Sequence, residues 1–330
     1  MTAPNADFPQ LAGRPQPGLE RHHHVSLGVG GAQEDYEFHT RLLSLKLVKQ
    51  TGLYDGEVPV YHLYYGNDVG EESTLVTCFP MRQSARKGRK GTGQFSRLSL
   101  SVPRSGLGFW RERLREHGVP AREAERFGER SLQFQHPCGV DYELVAVADD
   151  ARRPHSSGEV PAQFAIRGTH SITLSVREVE ASADFLERGW AARRLASEGP
   201  CVRYAVGEGL AGTRIDLLCE PDRERGSQEL AEGIIHHCAF QARDAAAQRG
   251  IAARLAGLGF EDVSPPIDRG YFDSIYVREP SGALFEAAVS KPEGFAVDEP
   301  VASLGSAFQV PPNLEGSAEE IRARLEPVEF

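Results

Sequence analysis

His23-His24-Val25-Ser26-Leu27-Gly28-Val29 alternates polar and apolar residues, as a half-buried β-strand does. Three later stretches are similar: Ser96-Arg97-Leu98-Ser99-Leu100-Ser101-Val102, His170-Ser171-Ile172-Thr173-Leu174-Ser175-Val176 and His236-His237-Cys238-Ala239-Phe240-Gln241-Ala242. Successive stretches begin about 70 residues apart, which is enough for a strand, a helix and a short meander in each unit. The chain is therefore predicted to consist of four repeats of one small module.

A helix and further strands are predicted after each opening strand. Leu107, Trp110 and Leu114, for example, have the spacing that places apolar residues on one face of a helix. Runs rich in β-branched and aromatic residues follow, such as Ser274 to Val277. The predicted fold is α+β, with four βαβββ modules paired into two cupped mixed sheets. Its predicted parts are a disordered leader at 1–20, modules at 21–93, 94–165, 166–232 and 233–291, and a C-terminal extension at 292–330.

Three of the four units also end alike, with a carboxylate that follows a turn. Glu143, Asp216 and Glu286 each come shortly after a turn that contains glycine. The corresponding strand of the first unit, near Thr74 to Phe79, has no acidic residue. The repeat therefore offers three positions for an acidic metal ligand.

A histidine occupies the second position of the opening strand only in the first and fourth units. These residues are His24 and His237, while Arg97 and Ser171 stand at the equivalent positions. Two imidazoles and one carboxylate, with coordination positions left open, are typical of non-heme iron(II) sites that bind substrate and dioxygen together. We predict one such site from His24, His237 and Glu286, which requires modules 1 and 4 to pack together. A lone histidine is more often structural, so the prediction depends on the paired pattern.

Four further residues are candidates for the surroundings of the metal. If the last hairpin turns midway between them, Tyr276 lies opposite Glu286 with its side chain on the same face. Arg269, one strand upstream, could supply a fixed positive charge. His23 and His236 precede the two ligands, but neighbouring residues of a regular strand point to opposite faces. These two histidines would reach the cavity only where the strand is irregular.

Structural interpretations of the same residues stay open. Tyr276 and Arg269 could equally be packing residues of the sheet. His62, in Tyr61-His62-Leu63-Tyr64, is assigned to the core rather than to catalysis.

Composition narrows the functional class. The chain has 330 residues and a formal net charge of −10. Proteins that bind nucleic acids have clustered positive charge, so nucleic-acid binding is not expected. Its five cysteines form no CxxC pair and are interpreted as free thiols of a cytoplasmic protein. No apolar run is long enough to cross a membrane. A homo-oligomer is expected, as for many acidic enzymes of this size.

Several motifs resemble those of the vicinal oxygen chelate superfamily, in particular its ring-cleaving dioxygenases for hydroquinone and chlorinated hydroquinones. The resemblance covers nearly the whole chain. The motifs are Tyr54-Asp55-Gly56, Tyr61-His62-Leu63-Tyr64, Arg86-Lys87-Gly88-Arg89-Lys90-Gly91, Arg126-Phe127-Gly128, Glu220-Pro221-Asp222-Arg223, Gly233-Ile234-Ile235-His236-His237 and Arg269-Gly270-Tyr271-Phe272. The resemblance implies the vicinal oxygen chelate fold and iron(II) on His24, His237 and Glu286.

The resemblance also implies a substrate and a set of catalytic residues. An iron(II) enzyme of this kind inserts both atoms of dioxygen into hydroquinone or a substituted hydroquinone, giving a product of the hydroxymuconic semialdehyde type. His236 and Tyr276 are candidates for proton transfer, Arg269 for stabilising negative charge, and His23 for a further pocket role. Ser26 lies in the same pocket, where such enzymes are expected to have threonine. Its missing methyl group would enlarge the space for ring substituents.

Other functions remain compatible with the pattern. An extradiol catechol dioxygenase uses the same ligands, and a glyoxalase-type isomerase or transferase shares the fold but prefers zinc, nickel or manganese. A binding protein for an aromatic or chelating drug would need no such ligand set, so the two histidines and the carboxylate argue against it.

Overall fold

The computed structural model of the protein describes residues 18–54, 58–310 and 316–330. In each quarter of the chain a strand and a helix precede three further strands. The first quarter contains β1 (Leu19–Val29), α1 (Ala32–Glu37), β2 (Lys46–Leu53), β3 (Val60–Gly66) and β4 (Leu75–Pro80). The second contains β5 (Gln94–Pro103), α2 (Leu107–Glu116), β6 (Arg122–Arg126), β7 (Glu129–Gln135) and β8 (Asp141–Val147).

The second half of the chain repeats this order. The third quarter contains β9 (Gly168–Val176), α3 (Glu180–Asp184), β10 (Arg193–Glu198), β11 (Cys201–Ala205) and β12 (Arg214–Cys219). The fourth contains β13 (Ile234–Ala242), α4 (Ala245–Gly257), β14 (Ile267–Asp268), β15 (Phe272–Arg278) and β16 (Leu284–Ser290), and α5 (Ala318–Arg324) follows. Shorter π-helical turns lie at Phe38–Leu42 and Phe185–Gly189, and 3₁₀ turns at Arg82–Ser84, Arg104–Gly106, Gly294–Val297 and Val301–Ser303.

The strands form two eight-stranded mixed sheets, and each sheet combines two modules. The first has the order β14-β15-β16-β13-β1-β4-β3-β2, which joins modules 4 and 1 through the antiparallel pair β1 and β13. The second has the order β10-β11-β12-β9-β5-β8-β7-β6, which joins modules 3 and 2 through β9 and β5. The predicted fold, with modules 1 and 4 together, is confirmed.

Strand alternation separates a packing face from a polar face in the first sheet. Val25 and Leu27 of β1 belong to the main core together with Leu98 and Leu100 of β5. Side chains of successive residues point to opposite faces, so His24 lies on the other face of β1. One face of the sheet thereby carries the polar residues. The apolar residues of the opposite face pack into the main core and stabilise the fold.

The C-terminal extension covers part of that polar face. Phe295 and Leu304 pack there in a second apolar cluster. Lys49 of β2 is fully buried and forms ion pairs with Asp298, at 2.5 Å, and with Glu299. A charged group is stable at this depth only when it is paired, so these contacts attach the extension to module 1.

Several expectations from the sequence can be compared with this fold. The first seventeen residues of the predicted leader lie outside the described residues, and the module limits stay predictions. The C-terminal extension contains the helix α5, and the side chain of Ser317 at its start accepts no capping hydrogen bond. All five cysteines are free, as expected. None of the helices in the described part of the chain is both long and apolar enough to cross a membrane.

Candidate metal centre

Two β-bulges at the junction of modules 1 and 4 position the histidine pairs. In the pairing of β1 with β13, His22 lies opposite Phe240 and His24 lies opposite Ala239. His23 therefore has no register partner in β13. On β13 the pairing passes from His237 directly to Ile235, which leaves His236 unpaired. A bulge inserts one residue and redirects neighbouring side chains. The irregularity that both predicted pocket histidines require is therefore present in both strands.

The three predicted ligands converge in the middle of this sheet, and all three side chains are buried. Nε2 of His24 lies 3.3 Å from Nε2 of His237 and 3.5 Å from Oε2 of Glu286. Nε2 of His237 lies 3.0 Å from the same oxygen. Nitrogen and oxygen ligands at about 2.1 Å from one ion, with angles of about 90° to 110°, are themselves about 3.0 to 3.4 Å apart. The three atoms thus fit the ligand shell of one divalent metal.

Hydrogen bonding and charge in this group also suit a metal. Oε1 of Glu286 accepts a bond from Ser274, whereas Oε2 has no hydrogen-bond partner within the described residues. Burial alone would raise the pKa of Glu286, but His24 and His237 outweigh it and hold that pKa below its usual range. Burial lowers the pKa of His24 well below its usual value. An ionised carboxylate and a neutral imidazole are the forms that bind metals.

A chain of hydrogen bonds supports His24 from behind. Its Nδ1 lies 2.9 Å from Nδ1 of His23, and Nε2 of His23 lies 2.9 Å from Oγ of Ser290. Ser290 in turn donates to Oε1 of Glu72 at 2.5 Å. Metal-binding histidines are commonly oriented in this way by a carboxylate behind them. Ser290 and Glu72 were not found from the sequence, because nothing local marks two residues that meet only through the fold.

On the other side of the ligands, His236, Tyr276 and Arg269 form a second group. Nδ1 of His236 lies 2.8 Å from Nδ1 of His237, and Tyr276 is the register partner of Glu286, as predicted from the hairpin. Nε of Arg269 donates to the Tyr276 hydroxyl at 3.0 Å. Burial and the Glu286 carboxylate raise the pKa of Tyr276, and burial lowers that of His236 to about 3. Both groups therefore hold their neutral forms near pH 7.

Ser26 lies on the same strand as His24 and is fully buried. Its hydroxyl is 2.7 Å from the Thr77 hydroxyl of the neighbouring strand β4. The hydroxyl expected at this position is thus used in a bond between two strands of the sheet.

The carboxylates equivalent to Glu286 in the other sheet have different partners. Glu143 accepts bonds from Ser99, Ser131 and Gln133. Asp216 forms a two-pronged ion pair with the Arg203 guanidinium at 2.7 and 2.8 Å. The sequence offers neither carboxylate a histidine at the equivalent strand position. Each is instead stabilised by the hydrogen bonds or the ion pair described here.

A second histidine-carboxylate group lies in the interior, formed by Asp35, His39 and His136. Oδ1 of Asp35 and Nε2 of His136 have no hydrogen-bond partner among the described residues, whereas both ring nitrogens of His39 and the other Asp35 oxygen are paired. Nδ1 of His39 is 3.0 Å from the main-chain oxygen of Asp35, which can only accept, and Nε2 is 2.9 Å from the Tyr142 hydroxyl. Tyr65 donates to the Asp35 carboxylate at 2.8 Å. This group is a buried polar network that links modules 1 and 2.

The cupped sheets and the ligand group of two histidines and one glutamate define a metal-dependent protein of the vicinal oxygen chelate fold. A scan against protein-family models finds no match. The chain is 40% identical to the chlorohydroquinone/hydroquinone 1,2-dioxygenase of Sphingobium indicum over 92% of this chain and 95% of that protein. The chain belongs to this family of ring-cleaving dioxygenases.

Solved structures agree with the assignment. A proposed dioxygenase from Bacillus subtilis, with 36% identity, superposes with a TM-score of 0.88 over 95% of this chain and 99% of that one. Glyoxalase I from Zea mays, at 16% identity, has a TM-score of 0.61 over 82% of this chain and 92% of its own. The maize enzyme supports the fold alone, whereas the bacterial protein supports the family.

Proposed function

We propose that the protein is an iron(II)-dependent dioxygenase that cleaves the ring of hydroquinone or a substituted, including chlorinated, hydroquinone. Both atoms of dioxygen enter the product, a hydroxymuconic semialdehyde or its substituted analogue. The observation that carries the proposal is the convergence of His24, His237 and Glu286 within 3.0 to 3.5 Å of one another. The 40% identity to a relative named for this substrate class supports the choice of ring.

In this proposal the three ligands hold iron(II) and leave its remaining positions open. When bound, iron(II) supplies adjacent positions for a ring oxygen and dioxygen and carries electrons between them. His24 and Glu286 favour the ligating protonation states, because their pKa values are both lowered. His23, whose two ring nitrogens contact His24 and Ser290, would position His24 rather than touch the ring.

Proton handling is assigned to Tyr276 and His236. The raised pKa of Tyr276 keeps its phenol protonated, and Arg269 already donates to the phenol oxygen, so the phenol proton is free for a substrate oxygen. His237, if it binds metal through Nε2, donates from Nδ1 to Nδ1 of His236. The remaining proton of His236 then lies on Nε2, where it can be donated. Arg269 adds positive charge that would stabilise an anionic oxygen in the transition state.

The deciding experiment is oxygen uptake by the protein after anaerobic loading with iron(II). Hydroquinone and catechol are supplied in parallel to the same preparation, with zinc-loaded protein as the control. We expect oxygen consumption with hydroquinone, one mole per mole of ring, and none with zinc. Uptake with catechol alone would assign the protein to the extradiol catechol enzymes. No uptake with either ring would reject the dioxygenase proposal. The homo-oligomer and the cellular compartment stay predictions.

A further inference from the structure

His62 of β3 is a polar residue that the proposed mechanism does not use. Its ring stacks on Phe79 at 4.0 Å between centroids, with the planes 19° apart. Nδ1 lies 3.0 Å from the Tyr64 hydroxyl. Nε2 is hidden from solvent and has no hydrogen-bond partner among the residues that the structure describes. An unpaired hidden nitrogen is unusual and calls for a ligand or another explanation.

The strand register places His62 on the same face of the sheet as the metal ligands. Ser26 pairs with Thr77 of β4, and Thr77 pairs with Tyr64 of β3. Residues two apart share a face, so His24 with Ser26 and His62 with Tyr64 all lie on one surface. The bond of 2.7 Å between the Ser26 and Thr77 hydroxyls agrees with this alignment. Two strand spacings of about 4.8 Å separate β3 from β1 along the sheet.

Aromatic contacts continue from His62 towards the metal ligands. The Tyr64 ring is 4.2 Å from the His62 ring and 6.2 Å from Tyr271. Phe272, next in the chain, is 5.1 Å from the His24 ring. These rings therefore form one series that runs from His62 to His24, with Tyr271 and Phe272 joined as neighbours in the chain. Tyr276 and Arg269 lie at one edge of the sheet, and His62 lies two strands away on the opposite side of the ligands.

Charged residues of the candidate metal centre affect the pKa of His62. Loss of hydration lowers its pKa well below the usual value, and His24, His237 and Arg269 lower it further while Glu286 opposes them. His62 is therefore a neutral imidazole. It carries one proton, on either Nδ1 or Nε2.

Tyr64 determines which nitrogen holds that proton. Its side chain is buried, and within the described part of the chain its hydroxyl has only His62 Nδ1 as a hydrogen-bond partner. Burial raises the pKa of Tyr64, so the phenol keeps its proton. A buried hydroxyl must donate that proton, and Nδ1 is the available acceptor. The proton of His62 then lies on Nε2, which is a donor without an acceptor.

We propose that Nε2 of His62 donates a hydrogen bond to the second oxygen of a para-dihydroxy ring whose first oxygen is held at the metal centre. This inference rests on the proposed function. A hydroquinone carries its two oxygens at opposite ends of the ring, so one end reaches the ligands and the other reaches β3. A catechol carries both oxygens at the same end and leaves His62 unpaired. His62 is thus a specificity-determining residue that favours hydroquinones.

The test compares ligands that differ only in the second hydroxyl. Dissociation constants of hydroquinone and phenol are measured anaerobically on iron(II)-loaded protein for wild type, His62→Gln and His62→Phe. Wild type should bind hydroquinone about tenfold more tightly than phenol. His62→Phe should lose this preference, whereas His62→Gln, which keeps an N–H donor, should retain part of it. An unchanged preference in His62→Phe, or no preference in wild type, would overturn the proposal.

Two controls separate this result from other failures. His39→Phe removes a different buried histidine that is hydrogen-bonded to a tyrosine, and it should lower stability without changing the ligand preference. Nitrogen-15 NMR of zinc-loaded wild type should find the His62 proton on Nε2, and a proton on Nδ1 would contradict the proposal even if His62→Phe fails to fold. Oxygen uptake tests the enzyme class separately. A protein that consumes oxygen with hydroquinone, yet keeps its ligand preference without His62, rejects this inference alone.

Discussion

Nδ1 of His24 lies 2.9 Å from Nδ1 of His23, although the two residues are neighbours in one strand. In a regular strand their side chains would point to opposite faces, and the β-bulge at His23 brings them together. The equivalent bulge at His236 places Nδ1 of that residue 2.8 Å from Nδ1 of His237. Each of the two proposed ligand histidines is thus hydrogen-bonded to the histidine that precedes it.

The support behind His24 leads to a prediction about Glu72 and Ser290. Glu72→Gln and Ser290→Ala should each weaken metal binding about tenfold, because the hydrogen-bond chain that orients His24 is broken. Anaerobic titration with iron(II) measures the affinity without relying on turnover. Glu71→Gln is the matched control, since the Glu71 carboxylate contacts Asn67 and Arg153 instead. Equal affinities in Glu72→Gln and Glu71→Gln would contradict the prediction.

The repeat supplies an internal control for the acidic ligand. Glu286→Gln should abolish tight iron binding and oxygen uptake, because the ionised ligand is lost. Glu143→Gln alters the equivalent carboxylate of the other sheet, which is bonded to Ser99, Ser131 and Gln133, and should leave both properties within about twofold of wild type. Metal analysis after gel filtration measures the first property and an oxygen electrode the second. Metal retained by Glu286→Gln would refute the assigned ligand set.

Ser26 predicts the tolerance of the pocket for ring substituents. Ser26→Thr adds a methyl group at a fully buried position next to Thr77, and overpacking of this kind costs about 1 to 3 kcal/mol. We expect kcat/KM to fall more for a chlorinated hydroquinone than for hydroquinone itself. Steady-state oxygen uptake with both substrates gives the ratio. If the ratio does not change, Ser26 lies outside the space that ring substituents occupy.

The sequence was sufficient for the features that depend on periodicity. Alternation and repeat spacing predicted the four modules, and the last hairpin predicted the pairing of Tyr276 with Glu286. The packing of modules 1 and 4 followed from the predicted ligand set, because His24 and His237 must meet. The two bulges could not be located from the sequence, because the one-residue shift of the alternation falls among consecutive histidines, where no apolar residue marks it. The sequence pattern assigns His62 to the core. Its position relative to His24 depends on the order of strands β1, β4 and β3, which only the fold provides.

Lys49 gives a prediction about the C-terminal extension. Removing one partner of a buried ion pair leaves the other charges without compensation, which costs about 3 to 5 kcal/mol. Lys49→Met should therefore lower the free energy of unfolding by about that amount, as Asp298 and Glu299 lose their common partner. Urea unfolding monitored by circular dichroism measures the loss. Lys46→Met is the control, because within the described residues the Lys46 ammonium contacts only the main-chain oxygen of Asp68. This substitution should change stability by less than about 1 kcal/mol.

Asp35 predicts how stability depends on pH. Burial alone would raise the pKa of this carboxyl, but His39 and His136 outweigh it and hold the pKa below the usual 3.8. A carboxyl whose pKa is lower in the folded protein contributes stability above the unfolded value and loses it as the pH falls towards the folded value. Asp35→Asn should therefore be less stable than wild type at pH 7, and the difference should shrink below about pH 4. Urea midpoints between pH 7 and pH 3 measure it, with Glu116→Gln at the exposed end of α2 as the control. A difference that stays constant over this range would mean that Asp35 acts through packing, because only a change in ionisation depends on pH.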